Sequence, residues 1–120
     1  MRLADYRAII DTGATRSVVC DKIIIEQDLM RTGHMQFNSV HGAETHSRYL
    51  ATLGFWSERT DSVHDLEETE KTFFLHKKLI EPVSMNDNAK FDAIIGFDIL
   101  KYYDFSFEMN RGLFTLKLGN

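Results

Sequence analysis

Apolar residues along this chain occur in short runs or alternate with polar residues, and turn-forming residues interrupt them every few positions. Such a pattern is typical of β-strands, because successive side chains of a strand point to opposite faces. The chain contains no internal repeat and no low-complexity tract. The pattern therefore predicts an all-β protein with one or two short helices.

The N-terminal part of the chain is predicted to contain two strands and a helix. A buried strand over residues 6–10 leads into the sequence Asp-Thr-Gly, and a second short strand follows over residues 17–20. Asp21 is predicted to cap a helix that continues to residue 30, because its carboxylate can accept hydrogen bonds from free backbone N–H groups.

A long hairpin is predicted next. Residues 35–40 and 47–56 read as its two strands, and the sequence HGAETH joins them. Gly42 supplies the turn, because glycine adopts the backbone conformations that tight turns require.

The second half begins with an acidic stretch, residues 58–70, which is interpreted as a solvated loop. A strand is predicted over residues 72–80. Residues 82–90 contain the only proline and two asparagines and are interpreted as a connection. A buried strand over residues 91–95 then leads to Gly96.

The C-terminal part is predicted to close the structure. Asp98 caps a short helical turn through residue 102, and residues 105–108 and 113–118 form a hairpin around the sequence NRG. The architecture predicted from all these elements is a small, closed β structure. Eight aromatic residues are expected in its core, some of them also lining a binding site: Phe73, Phe74, Phe91, Tyr102, Tyr103, Phe105, Phe107 and Phe114.

Length and charge narrow the class of protein. A chain of 120 residues, 43% of them hydrophobic, fits a single domain over residues 1–120 with a modest core. The formal net charge of −4 disfavours a general nucleic-acid-binding protein, which needs excess Lys and Arg to neutralise phosphates. We therefore expect no nucleic-acid partner.

Cysteine usage and hydropathy indicate the compartment. Cys20 is the only cysteine and cannot form an internal disulfide, so a reducing compartment is the simpler assumption. It is interpreted as a small apolar core residue. No apolar run approaches the about 20 residues of a membrane-spanning helix, and the N-terminus lacks the apolar segment of a signal peptide. The sequence predicts a soluble, cytoplasmic chain with no membrane partner.

Two kinds of chemistry find little support. The spacing of His34, His41 and His46 matches no helical or zinc-ribbon ligand pattern, so we expect no metal site and no cofactor. Ser17 and Cys20 lack the placed base and orienting acid that a nucleophilic serine or cysteine needs.

Two predicted strands end in motifs that indicate a site. In AIIDTGATRSVV, the strand delivers Asp11 to a sharp turn, where Gly13 supplies backbone freedom and Thr12 places a hydroxyl beside the carboxylate. In FDAIIGFDIL, the strand ends at Gly96, which lets a neighbouring backbone approach closely. We expect these strands to lie side by side, with Gly96 making room for the Asp11 turn.

The order of these motifs resembles a known family. Asp-Thr-Gly-Ala at residues 11–14, a hairpin with a glycine at its tip, and Ile-Ile-Gly-x-Asp-x-Leu at residues 94–100 resemble the retropepsin-like aspartic proteases, the single-lobe relatives of pepsin. The resemblance covers residues 7–118. It implies a small closed acid-protease barrel, a single pepsin-like lobe, with a flap hairpin. It also implies an aspartic endopeptidase that acts on a peptide or protein substrate.

The resemblance implies a specific mechanism. Aspartic proteases use two carboxylates that share one proton. One acts as general base on a water molecule, and the other, protonated, donates to the scissile carbonyl oxygen. This chain holds one Asp-Thr-Gly, so the resemblance implies a homodimer in which each subunit contributes Asp11.

The neighbours of Asp11 take implied roles as well. Thr12 would hydrogen-bond across the dimer, Gly13 would present its backbone to the substrate, and Ala14 would pack behind the turn. The hairpin tip, residues 41–44, would be a flap that closes over an extended peptide. The implied substrate-binding residues are Ala14, His41, Gly42, Ala43, Ile95 and Gly96.

The chain departs from the family at its N-terminus. Members usually carry a further strand before the one that leads into Asp-Thr-Gly, and only ten residues precede Asp11 here. Three interpretations are open: the chain begins late, it dimerises mainly through residues 112–118, or it forms a weak dimer.

Other departures lie close to the motifs. Thr15 and Phe97 stand where the viral proteases tend to use an Asp and an Arg. Arg16 could instead pair with Asp98, or the two could be a surface arginine and a helix cap. The flap is more polar than a glycine-rich tip, and His46, with a second histidine at the tip, could make its closure sensitive to pH.

A second hypothesis is a non-catalytic protein of the same fold that binds peptides or mediates dimerisation. The short N-terminal segment favours this hypothesis. The intact Asp11, Thr12 and Gly13 favour the enzyme, because a carboxylate pair at a dimer axis is costly to keep without use.

Overall fold

The described part of the chain is mainly β-structure. The structure, a computed structural model, describes residues 4–58, 71–108, 110 and 113–118. The strands in these residues are β1 (Ala8–Ile10), β2 (Val18–Cys20), β3 (Met30–Ser39), β4 (Gly42–Leu50), β5 (Gly54–Glu58), β6 (Lys71–Leu75), β7 (Val83–Met85), β8 (Ala93–Ile95), β9 (Tyr103–Glu108) and β10 (Leu113–Leu118). The helices are α1 (Asp21–Glu26) and α2 (Phe97–Leu100). The prediction of a β protein with one or two short helices is confirmed.

Six strands form a central sheet in the order β1-β8-β2-β7-β4-β3, and β5–β6 and β9–β10 form two-stranded sheets. In the central sheet, β1 lies parallel to β8, and β2 lies antiparallel to β8 and parallel to β7. The strands β1 and β3 each have a neighbour on one side only. Among the described residues the central sheet is therefore open at both edges, and no closed barrel is present.

The two motif strands lie side by side, as predicted. Their parallel register pairs Ala8 with Ala93 and Ile10 with Ile95. The burial of the two strands differs, because Ile95 and Ala93 of β8 pack in apolar clusters to which no residue of β1 belongs. Ile10 is 38% exposed and Ile95 only 3%. The prediction that the strand before Asp11 is buried is wrong for the single chain.

Two apolar clusters form the core. One contains Ile80, Ile95, Ile99, Leu100 and Tyr103, and the other contains Val19, Cys20, Ile23 and Ala93. The interpretation of Cys20 as a small apolar core residue is confirmed, since it is 1% exposed. Strand β8 contributes to both clusters, so the core lies directly behind the strand that supports the Asp11 turn.

The aromatic residues are divided between core and surface. Tyr103 is buried, and Phe74 and Tyr102 pack against the first cluster. Phe73 lies on the outer face of β6, because side chains alternate along a strand. The prediction of core positions is also wrong for Phe105 and Phe107, whose strand pairs only with β10 in the described residues.

The predicted hairpin is confirmed, with different strand ends. The β3–β4 hairpin turns at Val40 and His41, and Ser39 pairs with Gly42 across the turn. Gly42 has a φ of 110°, a conformation that favours glycine. Most of the predicted HGAETH connection therefore belongs to β4. The predicted strand over residues 47–56 is divided, because β4 ends at Leu50 and β5 begins at Gly54.

Helix ends differ from the predictions too. The helix α1 ends at Glu26, and Asp28 at φ 49° lies in the bend that leads into β3. The N-cap positions of α1 and α2 are Cys20 and Gly96, and neither helix has a side-chain cap. Asp21 and Asp98 therefore lie inside the first helical turn, and their predicted capping role is wrong.

Two of the remaining predictions are also corrected. The connection predicted over residues 82–90 contains β7, which fits between β2 and β4 in the central sheet. The strand predicted over residues 72–80 ends at Leu75, and Ile80 forms a separate bridge to Ala51. The acidic loop predicted over residues 58–70 lies outside the described residues except for Glu58.

Candidate functional site

Asp11 lies in the turn that follows β1, at the edge of the central sheet. Its backbone N–H donates to the carbonyl of Ile95 at 3.0 Å, which extends the β1–β8 pairing by one residue. Its carboxylate accepts from the N–H of Gly13 at 2.9 Å, and its carbonyl accepts from Ala14 at 3.2 Å. The side chain is exposed. These bonds fix the orientation of a carboxylate that remains open to solvent.

Gly96 allows the chain after Asp11 to pass directly over it. A Cβ at Gly96 would lie 2.8 Å from the carbonyl oxygen of Ala14 and 2.9 Å from the carbonyl of Arg16. The N–H of Phe97 donates to the same Ala14 carbonyl at 2.7 Å. The prediction that Gly96 makes room for a neighbouring backbone is confirmed. Its neighbour is the segment directly after the Asp11 turn.

Ser17 and Asp98 connect the end of that segment to α2. The Ser17 hydroxyl donates to one carboxylate oxygen of Asp98 at 2.7 Å, and the Ser17 N–H donates to the other at 3.0 Å. The Ser17 hydroxyl also accepts from the N–H of Gly96 at 2.9 Å. The sequence interpretation missed this cluster. The sequence shows only a serine three residues after Ala14 and an aspartate two residues after Gly96, and neither spacing specifies a contact between them.

The alternative pairing of Arg16 with Asp98 is wrong. Both carboxylate oxygens of Asp98 accept hydrogen bonds from Ser17. The Arg16 guanidinium donates instead to the carbonyl of Glu81 at 3.5 Å. Asp98 therefore supports the Asp11 turn through Ser17 and not through an ion pair.

The predicted site residues fall into two groups. Asp11, Gly13, Ala14, Ile95 and Gly96 are joined by the hydrogen bonds and close contacts described above, and within the single chain Ile95 and Gly96 support the turn from behind, because both are buried. The hairpin carries the other group at its exposed tip: His41, Gly42 and Ala43. Three strands separate β1 from β4 in the sheet order, so the sheet itself does not bring the groups together.

An apolar pocket of about 330 Å³ lies beside the Asp11 turn. Ile10 and Thr12, which flank Asp11, form one wall, and Phe105 and Phe107 of β9 form the other. Ile10, Phe105 and Phe107 are all more than a third exposed. A pocket with an apolar lining and an open mouth is suited to an apolar partner.

Other chemistry is weakly supported by the described residues. Burial raises the pKa of the Cys20 thiol, which keeps it in the unreactive protonated form. Ser17 is buried with its hydroxyl engaged. No group of three or more His, Cys, Asp or Glu side chains in the described ranges is placed to hold a metal ion. The same ranges contain no helix of the length and apolar character needed to cross a membrane.

No protein-family model and no curated protein sequence matches this chain. Any function assigned to it therefore depends on the geometry of the Asp11 turn and on the motifs of the sequence.

Proposed function

We propose that this chain is an aspartic endopeptidase of the retropepsin-like type, a single pepsin-like lobe that acts as a homodimer. The observation that carries the proposal is the Asp11 turn. An exposed carboxylate, held by the N–H of Gly13, stands at the end of an edge strand that is paired in parallel with β8. Gly96 and Ser17 support this turn from behind. A site supported in this way holds its reactive group in one orientation, as catalysis requires.

The chemistry follows from bringing two such carboxylates together. Across a two-fold axis, one Asp11 from each subunit would share a proton. The ionised carboxylate takes a proton from water as its oxygen attacks the carbonyl carbon, and the protonated carboxylate gives its proton to the carbonyl oxygen. The peptide nitrogen then receives the proton taken from water, a hydroxyl of the tetrahedral intermediate returns its proton to the second carboxylate, and the C–N bond breaks. Such a pair titrates as a unit.

The exposed surface beside Asp11 supports the dimer. Ile10, Phe105 and Phe107 are 38%, 41% and 57% exposed, and together with Thr12 they line the apolar pocket. Covering them with a second copy would remove apolar surface from water, which is worth about 25 cal/mol per Å². The pocket is lined by both residues that flank Asp11, so a copy seated there by two-fold symmetry would bring its own Asp11 close. Strand β10 lies in the C-terminal segment that is one of the open possibilities for the dimer contact, and it pairs with β9.

The β3–β4 hairpin supplies a flap in this proposal. Its exposed tip carries His41, Gly42 and Ala43. A flap of this kind closes over an extended peptide, excludes water and donates backbone hydrogen bonds. The substrate is accordingly an unstructured peptide segment and not a folded domain.

Cleavage of a diverse mixture of unstructured peptides tests the proposal. Wild-type protein and Asp11→Asn are incubated with the mixture between pH 4 and 8, and products are identified by mass spectrometry. The matched control is Asp28→Asn, an exposed aspartate at φ 49°, a conformation that asparagine tolerates. We expect cuts with wild type and the control but none with Asp11→Asn. Identical products from wild type and Asp11→Asn would overturn the assignment.

Dilution tests the homodimer. Activity should fall faster than linearly below the dissociation constant, because the site exists only in the dimer. Strictly linear activity down to the lowest concentration would contradict a shared site. Peptide binding without cleavage at any concentration and pH would support the non-catalytic alternative.

A further inference from the structure

His46 joins the hairpin to the rest of the sheet. The backbone pairing of β4 with β7 consists of Arg48 opposite Val83, together with the Tyr49 N–H donating to the carbonyl of residue 82 at 3.0 Å. Toward the hairpin tip, the next link in the described residues is the ring Nδ1 of His46, 2.9 Å from the carbonyl oxygen of Ser84. His46 therefore lies where the hairpin separates from the sheet.

The two contacts of the His46 ring require two protons. Its Nε2 lies 3.1 Å from a carboxylate oxygen of Glu44. A backbone carbonyl and an ionised carboxylate can only accept hydrogen bonds. A neutral imidazole carries one N–H and satisfies one of them, whereas the imidazolium donates to both. Both contacts are hydrogen bonds at the same time only when the ring is doubly protonated.

Among the charged side chains on the strands around His46, the carboxylate of Glu44 is the one that contacts the ring. Arg48, on the same face of β4, directs its guanidinium toward Gly33 of the opposite strand. Across the hairpin, β3 presents the uncharged Met35 and Phe37, whose ring packs edge-on at 5.4 Å between centroids. On the side of β7, the ring contacts the carbonyl oxygen of Ser84.

We propose that His46 is a proton-dependent latch at the base of the hairpin. With two protons the ring fastens β4 to the Ser84 carbonyl and to Glu44 at once. When one proton leaves, one of the contacts is lost and the hairpin is held less firmly on β7. Histidine is the side chain whose unperturbed change of charge falls between about pH 5 and 8. The role of this latch in gating peptide access rests on the proposed function, and the latch itself does not.

The test compares hairpin mobility with the protonation of the ring. Ring ¹⁵N shifts of His46 report its protons, and amide hydrogen exchange, expressed as protection factors, reports opening of residues 35–46. In wild type we expect two ring protons at pH 5.5, and protection at least about threefold higher at pH 5.5 than at pH 8.0. His46→Gln should abolish the difference. His34→Gln, which removes an exposed histidine of β3, should retain it.

A second variant separates the latch from a general effect of acid. Glu44→Gln keeps an acceptor oxygen but removes the charge, so the difference in protection between pH 5.5 and 8.0 should be smaller than in wild type. The latch is wrong if wild-type protection is equal at both pH values, if His46→Gln keeps the difference, or if the ring carries one proton at pH 5.5. None of these measurements uses peptide cleavage. A protein that cleaves no peptide but shows the expected pH dependence of protection would contradict the proposed function and not the latch.

Discussion

Asp98 accepts two hydrogen bonds from Ser17, one from the hydroxyl and one from the backbone N–H, across 81 positions of sequence. Through these bonds the first turn of α2 holds the segment that follows Asp11. The Ser17 hydroxyl also accepts from Gly96, so it satisfies polar groups of both motifs. We infer that Ser17 and Asp98 position the Asp11 turn.

Ser17→Ala should therefore destabilise the protein. It removes a donor from Asp98 and an acceptor from the buried Gly96 N–H, and an unsatisfied buried group costs about 1–3 kcal/mol. The free energy of unfolding, measured with urea, should fall by that amount. Ser106→Ala, at an exposed position of β9, should change it by less than about 0.5 kcal/mol. Equal effects of the two substitutions would show that the Ser17 bonds contribute nothing.

Gly96→Ala should displace the backbone that crosses it. The added Cβ would meet the carbonyls of Ala14 and Arg16 at less than 3.0 Å, and backbone atoms cannot turn away as a side chain can. Such overpacking costs about 1–3 kcal/mol, and NMR should show amide shift changes over residues 11–17.

Gly42→Ala is the matched comparison for Gly96→Ala. Nothing lies within 4 Å of a Cβ at Gly42, and its cost comes from the φ of 110° alone. Its shift changes should be confined to the hairpin turn. The close-approach explanation fails if Gly96→Ala leaves the amide shifts of residues 11–17 unchanged.

Phe107→Lys should weaken the proposed homodimer. Phe107 is 57% exposed and lines the pocket beside the Asp11 turn, so a charge there should raise the dimer dissociation constant at least about tenfold without unfolding the chain. Sedimentation velocity over a concentration series measures this. Ile25→Lys, at a 78% exposed apolar position of α1, should leave the dimer dissociation constant unchanged. A wild-type protein that stays monomeric throughout the series would remove this face as a dimer contact.

His76 is buried among aromatic rings. Its Nδ1 is hydrogen-bonded to the Tyr103 hydroxyl, whereas its Nε2 is buried without a partner in the described structure. Burial, together with the charge of Lys78, lowers the pKa of His76, and burial also raises the pKa of Tyr103. Both groups are therefore neutral in the folded protein at neutral pH.

The lowered pKa of His76 predicts a loss of stability in acid. The unfolded chain takes up a proton at His76 below pH about 6.5, while the folded chain resists it. The contribution to the free energy of unfolding is thus complete above that pH and declines as pH falls toward the folded-state pKa. Urea unfolding between pH 7.5 and 5.0 should show a smaller decline in His76→Met than in wild type. The same decline in both proteins would contradict this explanation.

Much of the candidate site could be predicted because it is encoded in adjacent residues. An apolar run followed by Asp-Thr-Gly indicates a strand that ends in a turn, and the apolar run before Gly96 indicates its neighbour. The cluster of Ser17 with Asp98 could not be predicted in this way. It depends on how the segment after Asp11 crosses α2, and no local pattern specifies that crossing. The strand β7 was missed because three residues next to a proline form a strand only when β2 and β4 are present to pair with them.

The sequence by itself determined the strand-rich class, the hairpin around Gly42 and the position of Asp11 in a turn, because alternation, glycine placement and short apolar runs act over a few residues. Only the tertiary structure decided which apolar residues are covered. Ile10 and Ile95 carry the same side chain in the same kind of motif. Ile10 lies on the edge strand β1 and is exposed, whereas Ile95 lies on β8 and is buried in the core. Burial depends on what packs against a strand, and those partners come from distant parts of the chain.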